Sequence, residues 1–217
     1  MSKSIIEIYK DYKIFPNLQM HMLRVGAVAS LICDNMLEPV DKQKIVLTCL
    51  LHDVGNIIKT RMDVLPGYFE PEGVEYWQKV KDEFVAKYGA DDNQANVLIA
   101  RELGLEAVAD MINCFGFVNS EKNFQGGDMN TKIAFYSDGR VAPHGVVSFL
   151  GRVEDAKKRY AGRTLDIIEL GEEKIVGLVL GIENQVFSKC KIKPEDITDQ
   201  AIAPIIEELK DFMVYGE

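Results

Sequence analysis

"CLLHDVGNII", residues 49–58, sets a histidine and an aspartate side by side inside a run that is otherwise almost wholly apolar. Read as part of a helix over 41–59, the run places positions three and four apart on one face. Ile45, Cys49 and His52 then form one stripe, and Val46, Leu50, Asp53 and Ile57 form the next, so both polar side chains point into the interior. An unpaired buried carboxylate costs on the order of several kcal/mol or forces a large pKa shift. Its compensation is a basic partner, a set of hydrogen bonds or a metal ion.

Working outward, helical periodicity covers nearly the whole chain and alternating β-branched runs are few, which predicts an all-α protein. The predicted helices are 2–12, 17–36, 41–59, 72–88, 92–103, 105–116, 131–138, 146–160, 164–187 and 195–214. Start signals sit at Asp41, at or near Ser148, at Thr164 and at Pro194. Gly, Pro and Asn gather in VLPGYFEPEG (64–73) and NFQGGDMNT (123–131), both read as surface loops. No repeat or linker divides the chain. It reads as one domain over 1–217, with the helices of about 164–217 as a C-terminal extension.

Composition sets limits on function. A chain of 217 residues, 47% hydrophobic and 27% charged, is the profile of one globular domain able to bury a sizeable core. Cys33, Cys49, Cys114 and Cys190 are scattered, so they read as free thiols of a reducing cytosol rather than zinc ligands or disulfides. The first residues lack an apolar leader core and no later run is long enough to cross a bilayer, so a soluble, cytoplasmic protein is expected. A net charge of −9 argues against nucleic-acid polymers as partners. Lys157, Lys158 and Arg159 are a local basic exception, and a solvated helix face is their commoner meaning.

Of only three histidines, a second, His21, lies on the inward stripe His21, Val25, Val28, Ile32 of the preceding helix. Two inward imidazoles beside a buried aspartate meet the needs of a mixed nitrogen and oxygen metal site. Asp138, closing the apolar run KIAFYSD, is the natural fourth ligand, and two neutral imidazoles with two carboxylates balance one divalent cation. A hydrogen-bonded core network without any ion is the alternative, provided every member is satisfied.

The ordered set His21, His52–Asp53 in LLHDVG and Asp138 in YSDGRV resembles the H…HD…D signature of the HD-domain metal-dependent phosphohydrolases. PNLQMHMLRVGAVA is similar to that family's first metal helix and AFYSDGRVAPHGVVSFLGRVEDAKKRY to its last-aspartate segment, so the likeness covers about residues 15–160. It implies an all-α HD-type bundle with additional C-terminal helices, in which His21, His52, Asp53 and Asp138 hold one divalent metal. Manganese is favoured, with magnesium, cobalt, nickel, iron or zinc as alternatives. It also implies hydrolysis of a small phosphate ester, a nucleotide monophosphate being favoured, with Asp53 as acceptor of the attacking water's proton. The competing reading is a non-catalytic metal- or nucleotide-binding sensor or interaction module.

Departures from the family pattern direct attention to other residues. Where many members read HDxGK, this chain has Asn56, so a phosphate-facing cation would have to come from Lys59, Arg61 or Arg140, or from Arg24 one turn after His21. No histidine falls between His52 and His144, which argues against a dinuclear site. The stretch 63–77 could fold over the site, offering Glu70, Glu72 and Glu75 as acid or base groups and Tyr68, Phe69, Tyr76 and Trp77 as stacking surfaces, unless the aromatics simply pack the loop down. His144 reads as a loop residue. The C-terminal helices carry apolar faces that would serve a homo-oligomer or, more ordinarily, their own core.

Overall fold

Side-chain caps set where the helices begin. In the computed structural model, which describes residues 2–62, 66–159 and 171–216, Ser4 and Glu7 form a reciprocal capping box at the start of α1 (Ile5–Asp11). Asp41 accepts from the Lys44 N–H at the head of α3 (Lys42–Leu51), Asp91 from Gln94 at α5 (Asp92–Glu102), and Asp128 from Thr131 at α8 (Met129–Asp138). Each such cap satisfies an orphan N–H and is worth about 1 kcal/mol. Pro16 opens α2 (Pro16–Asp34), where its missing N–H is no loss. The remaining described helices are α4 (Val74–Tyr88), α6 (Glu106–Ile112), α7 (Ser120–Gln125), α9 (Phe149–Arg159), α10 (Glu172–Phe187) and α11 (Asp199–Lys210).

The all-α expectation holds, since strands are confined to two small pairs among the described residues. A short hairpin joins β2 (Val141–Ala142) to β3 (Gly145–Val146) directly after α8. The stripe predicted on α2 is the centre of the core: Val25, Val28 and Ile32 are fully buried. Helices α3, α8 and α11 pack around α2. A Cβ at Gly26 would come within 3.0 Å of Leu50 Cδ2 and 3.3 Å of Leu209 Cδ1, so α3 and α11 close onto α2 at the one position that has no side chain. The C-terminal helices turn their apolar faces inward, burying Ile175, Val179, Ile182 and Val186 on α10 and Ile202 and Leu209 on α11. No described helix is long and apolar enough to cross a membrane.

Several boundaries differ from the sequence expectation, each for a physical reason. Residues 2–4 are not helical: Ser4 is the cap, and Ser2–Ser4 form β1, antiparallel to β4 (Met213–Tyr215). The last helix therefore stops at Lys210, and the β-favouring Met-Val-Tyr leaves it to pair with the other end of the chain. Pro194 opens a 3-10 turn, and Thr198 caps the helix that follows. The stretch 123–131 is not one loop, because Asn123 belongs to α7, is buried, and donates from Nδ2 to the Cys114 carbonyl at 2.8 Å. In the other expected loop, Pro66–Phe69 form a 3-10 turn and Phe69 is buried, while 64–65 lie outside the described residues. Thr164, the expected cap, also lies outside them.

The most consequential difference is that the helix predicted to run to 59 ends at Leu51. Its last carbonyls are taken by side chains: the Tyr9 hydroxyl donates to Leu50 O at 2.7 Å, and His52 Nδ1 lies 2.7 Å from Cys49 O. The Gly55 N–H then leaves the helix ladder and donates to Asn96 Oδ1 at 2.6 Å, on buried Asn96 of α5. A Cβ at Gly55 would stand 2.7 Å from Ala95 Cβ and 3.1 Å from Asp92 O, so only glycine lets the turn approach α5 this closely. Asp53 accordingly reaches its position through a turn and not along a helical stripe. Gly55→Ala is expected to lower stability by about 1–3 kcal/mol, the usual cost of overpacking, as read by urea unfolding, and to weaken divalent-metal uptake in the same protein.

Candidate metal centre

Three separate elements bring four polar side chains to one place. His21 stands in the second turn of α2, His52 caps the end of α3 with Asp53 beside it, and Asp138 is the last residue of α8. Single ligand atoms of His21, His52 and Asp53 lie within 4.8 Å of one another. Asp138 Oδ1 lies 3.2 Å from His21 Nε2 and 3.4 Å from His52 Nε2, while Asp53 Oδ2 is 3.5 Å and 3.6 Å from the same two nitrogens. The imidazoles of His21 and His52 are 5.4 Å apart between centroids.

The hydrogen bonding fixes what each atom can do. With Nδ1 of His52 donating to the Cys49 carbonyl, Nε2 is left as a lone-pair donor facing the cluster. That atom is fully buried and has no hydrogen-bond partner among the described residues. A lone pair set against two carboxylate oxygens is repulsive unless a positive charge intervenes. In the protein without metal that charge is a proton: burial works against the His52 imidazolium, but Asp53 and Asp138 more than offset it and hold its pKa up at about 9. Burial would raise Asp138, yet the imidazoles of His21 and His52 keep its carboxyl well below the usual range. The set of two imidazole nitrogens and two carboxylate oxygens, with one buried nitrogen lacking a partner, fits a divalent cation of the borderline class.

The other predicted residues fall into different places. Lys59 Nζ is 2.6 Å from Asp92 Oδ2. Burial lowers the pKa of this ammonium, but Asp53, Asp92 and Asp138 together raise it, which sets Lys59 at the edge of the cluster. Arg61 lies on the exposed stretch that follows. Arg24, expected to face a phosphate, donates from Nη1 to Pro143 O at 3.0 Å and so steadies the turn of the β2–β3 hairpin. The expectation for Arg140 is corrected: it is buried and spends its guanidinium on Val147 O, the Tyr136 hydroxyl, and Pro194 O at 2.6, 2.7 and 3.0 Å. A buried side chain held in this way by interior acceptors is not presented to a substrate phosphate. Tyr136 in turn donates to Glu183 on α10.

Glu70 and Glu72 are exposed on the segment before α4, and Glu75 pairs with Lys79 at 2.9 Å. Of the aromatics, Phe69 and Trp77 are buried, with Trp77 Nε1 donating to Phe69 O at 3.2 Å and both rings packed on Phe15, which is the loop-packing reading. Tyr76 is exposed, and the side chain of Tyr68 lies outside the described residues. His144 is a turn residue 3.8 Å from Asp155, as expected of a loop position. Lys157 pairs with Glu172 at 2.6 Å.

Sequence reasoning did not single out Asn96, which anchors the turn, or Phe115, whose ring stacks on His52 at 4.6 Å and 21°. An isolated asparagine or phenylalanine in a helical chain carries no spacing signal, so only the fold shows their use. Asn56 Oδ1 is buried without a hydrogen-bond partner among the described residues, at the position where the family often has lysine.

Neither the curated proteins nor the solved structures give a match to this chain. The model of the HD domain matches residues 18–114, a stretch that contains His21, His52 and Asp53 but ends before Asp138. Asp138 therefore joins the cluster on the evidence of distance alone. Within an all-helical core, the matched stretch 18–114 with its histidine–aspartate cluster is an HD domain.

Proposed function

We propose that this protein is a metal-dependent phosphohydrolase acting on a small phosphate ester, with a nucleotide monophosphate as the favoured substrate. The observation that carries the reading is the convergence of His21 Nε2, His52 Nε2, Asp53 Oδ2 and Asp138 Oδ1, with His52 Nε2 buried and without a hydrogen-bond partner among the described residues. His21, His52, Asp53 and Asp138 would hold one divalent ion, manganese being the favoured one. Such an ion supplies Lewis-acid charge for a phosphoryl oxygen and activation of a water at neutral pH.

The chain's own residues supply the rest. Asp53 is about one-fifth exposed, so its second oxygen can meet a water entering from the open side and take its proton. Phe115, stacked on His52, and the buried Cys49 carbonyl fix the imidazole plane, and with it the direction of the Nε2 lone pair. Lys59, steadied by Asp92, stands near enough to Asp53 to meet an anionic substrate. It takes over the task that Asn56 cannot perform. The exposed Glu70 and Glu72 remain candidates for proton transfer if the segment bearing them closes over substrate.

A second reading, a metal- or nucleotide-binding module without turnover, is favoured by two observations: Asn56 stands in place of a cation, and Arg140 is buried and hydrogen-bonded to interior acceptors.

One experiment separates the two. Metal-stripped protein is resupplied with manganese, magnesium, cobalt, nickel, iron or zinc, and phosphate release is followed on a panel of nucleotides and small phosphoesters, with Asp53→Ala as control. The expected result is metal-dependent release that falls more than about 100-fold in Asp53→Ala, beyond what loss of an outer-shell partner costs. Metal uptake with no release on any compound decides for the binding module. Lys59→Met is expected to raise KM by about 3–10-fold with kcat little changed, a modest effect because its ammonium is more than half exposed.

A further inference from the structure

Beside Asp138 the surface opens into a recess of about 80 Å³ lined by Phe117, Phe135, Phe149, Gly139, Val179 and Arg152. Asp138, a member of the metal cluster, is one of its lining residues, and Phe117, another, lies two residues from Phe115, the ring stacked on His52. Water occupies about 30 Å³ per molecule in the liquid, and sites for drug-sized ligands begin near about 300 Å³. The recess thus has room for one small group and none for a base or a sugar.

Arg152, in the first turn of α9, is the feature of this recess that lacks an explanation inside the fold. Its side chain is 23% exposed, and among the described residues the carboxylate it pairs with, Asp155 Oδ2, is 3.8 Å from Nη1, beyond hydrogen-bonding reach. Asp155 is also engaged elsewhere, including with His144. Among the described residues the Arg152 guanidinium donates no hydrogen bond. The contrast with Arg140, two residues beyond Asp138 and hydrogen-bonded to three interior acceptors, is sharp. A guanidinium is always charged and presents its donors as a planar fork that matches the oxygens of a phosphate. Aromatic walls keep water thin around it, which strengthens the attraction for an anion.

We propose that Arg152 binds the phosphate group of the substrate, and that the recess between Asp138 and the three phenylalanines admits that group alone. The proposal rests on the metal-dependent reading above and extends it. The phosphate is gripped from two sides, by Lys59 near Asp53 and by Arg152 near Asp138, while the organic part of the ester stays outside the recess. Selection there is for a terminal, singly esterified phosphate, because a diester would have to place a second carbon substituent against the phenylalanines.

The test uses inorganic phosphate as the probe and needs no knowledge of the substrate. Mn2+ binding is measured first by electron paramagnetic resonance on the wild type, Arg152→Gln and Arg152→Lys. Phosphate is then titrated calorimetrically into each Mn2+-loaded protein. Expected are equal Mn2+ affinities within about twofold, and a phosphate Kd weakened about 10–100-fold in Arg152→Gln, as befits loss of a charge-assisted pair. Arg152→Lys, which keeps the charge and loses the fork, should weaken it several-fold. If the glutamine variant fails to fold, the lysine variant decides alone. Phosphate affinity unchanged in the folded variants, or a Mn2+-loaded wild type that binds no phosphate, overturns the role of Arg152 and leaves the metal reading standing. A wild type that takes up neither Mn2+ nor any of magnesium, cobalt, nickel, iron and zinc overturns both.

Discussion

Two carboxylates and two imidazoles facing one another across less than 4 Å, partly shielded from water, demand a positive charge among them. The rest of the molecule serves to hold these groups in place. α2, α3 and α8 each deliver one side of the cluster, and the fully buried apolar stripes behind them make the three helices rigid enough to keep like charges together. Such a strained polar arrangement is tolerable only where the scaffold over-determines it.

The device that over-determines it is the abrupt end of α3. A helix continued to 59 would carry Asp53 along a regular stripe. Here Tyr9, His52 and Asn96 intercept the backbone groups on which continuation depends, and Gly55 lets α5 press against the turn. His52 is at once a cap of the helix and a member of the cluster, so the same hydrogen bond that ends the helix selects the tautomer the site requires. Arg140 does comparable work behind Asp138, tying the end of α8 to α10 through Tyr136 and to the turn before α11 through two backbone carbonyls.

Much of this was legible in the sequence and some was not, for reasons that differ by residue. His21, His52, Asp53 and Asp138 stood out because polar groups in apolar helical runs need compensation, and the structure draws them together. The helix register of α2 followed from period alone. By contrast, the end of α3 depends on Tyr9 and Asn96, each about 41 residues from its partner, and no local pattern announces such a contact. Arg140 read as a pocket residue because proximity in sequence to Asp138 says nothing about which way a side chain turns. Residues 2–4 and 213–215 have too few positions to show a strand period, and only their pairing with each other defines them.

That terminal pairing has a topological consequence. Ser2 lies opposite Tyr215 in an antiparallel ladder, so residues near the two ends of the described chain are neighbours across a small gap. A short linker across that gap would let the polypeptide be reopened elsewhere, at an exposed turn such as Gly89, with every helix keeping its neighbours. The order of helices along the backbone is then a convention, while their order around α2 is the physical structure.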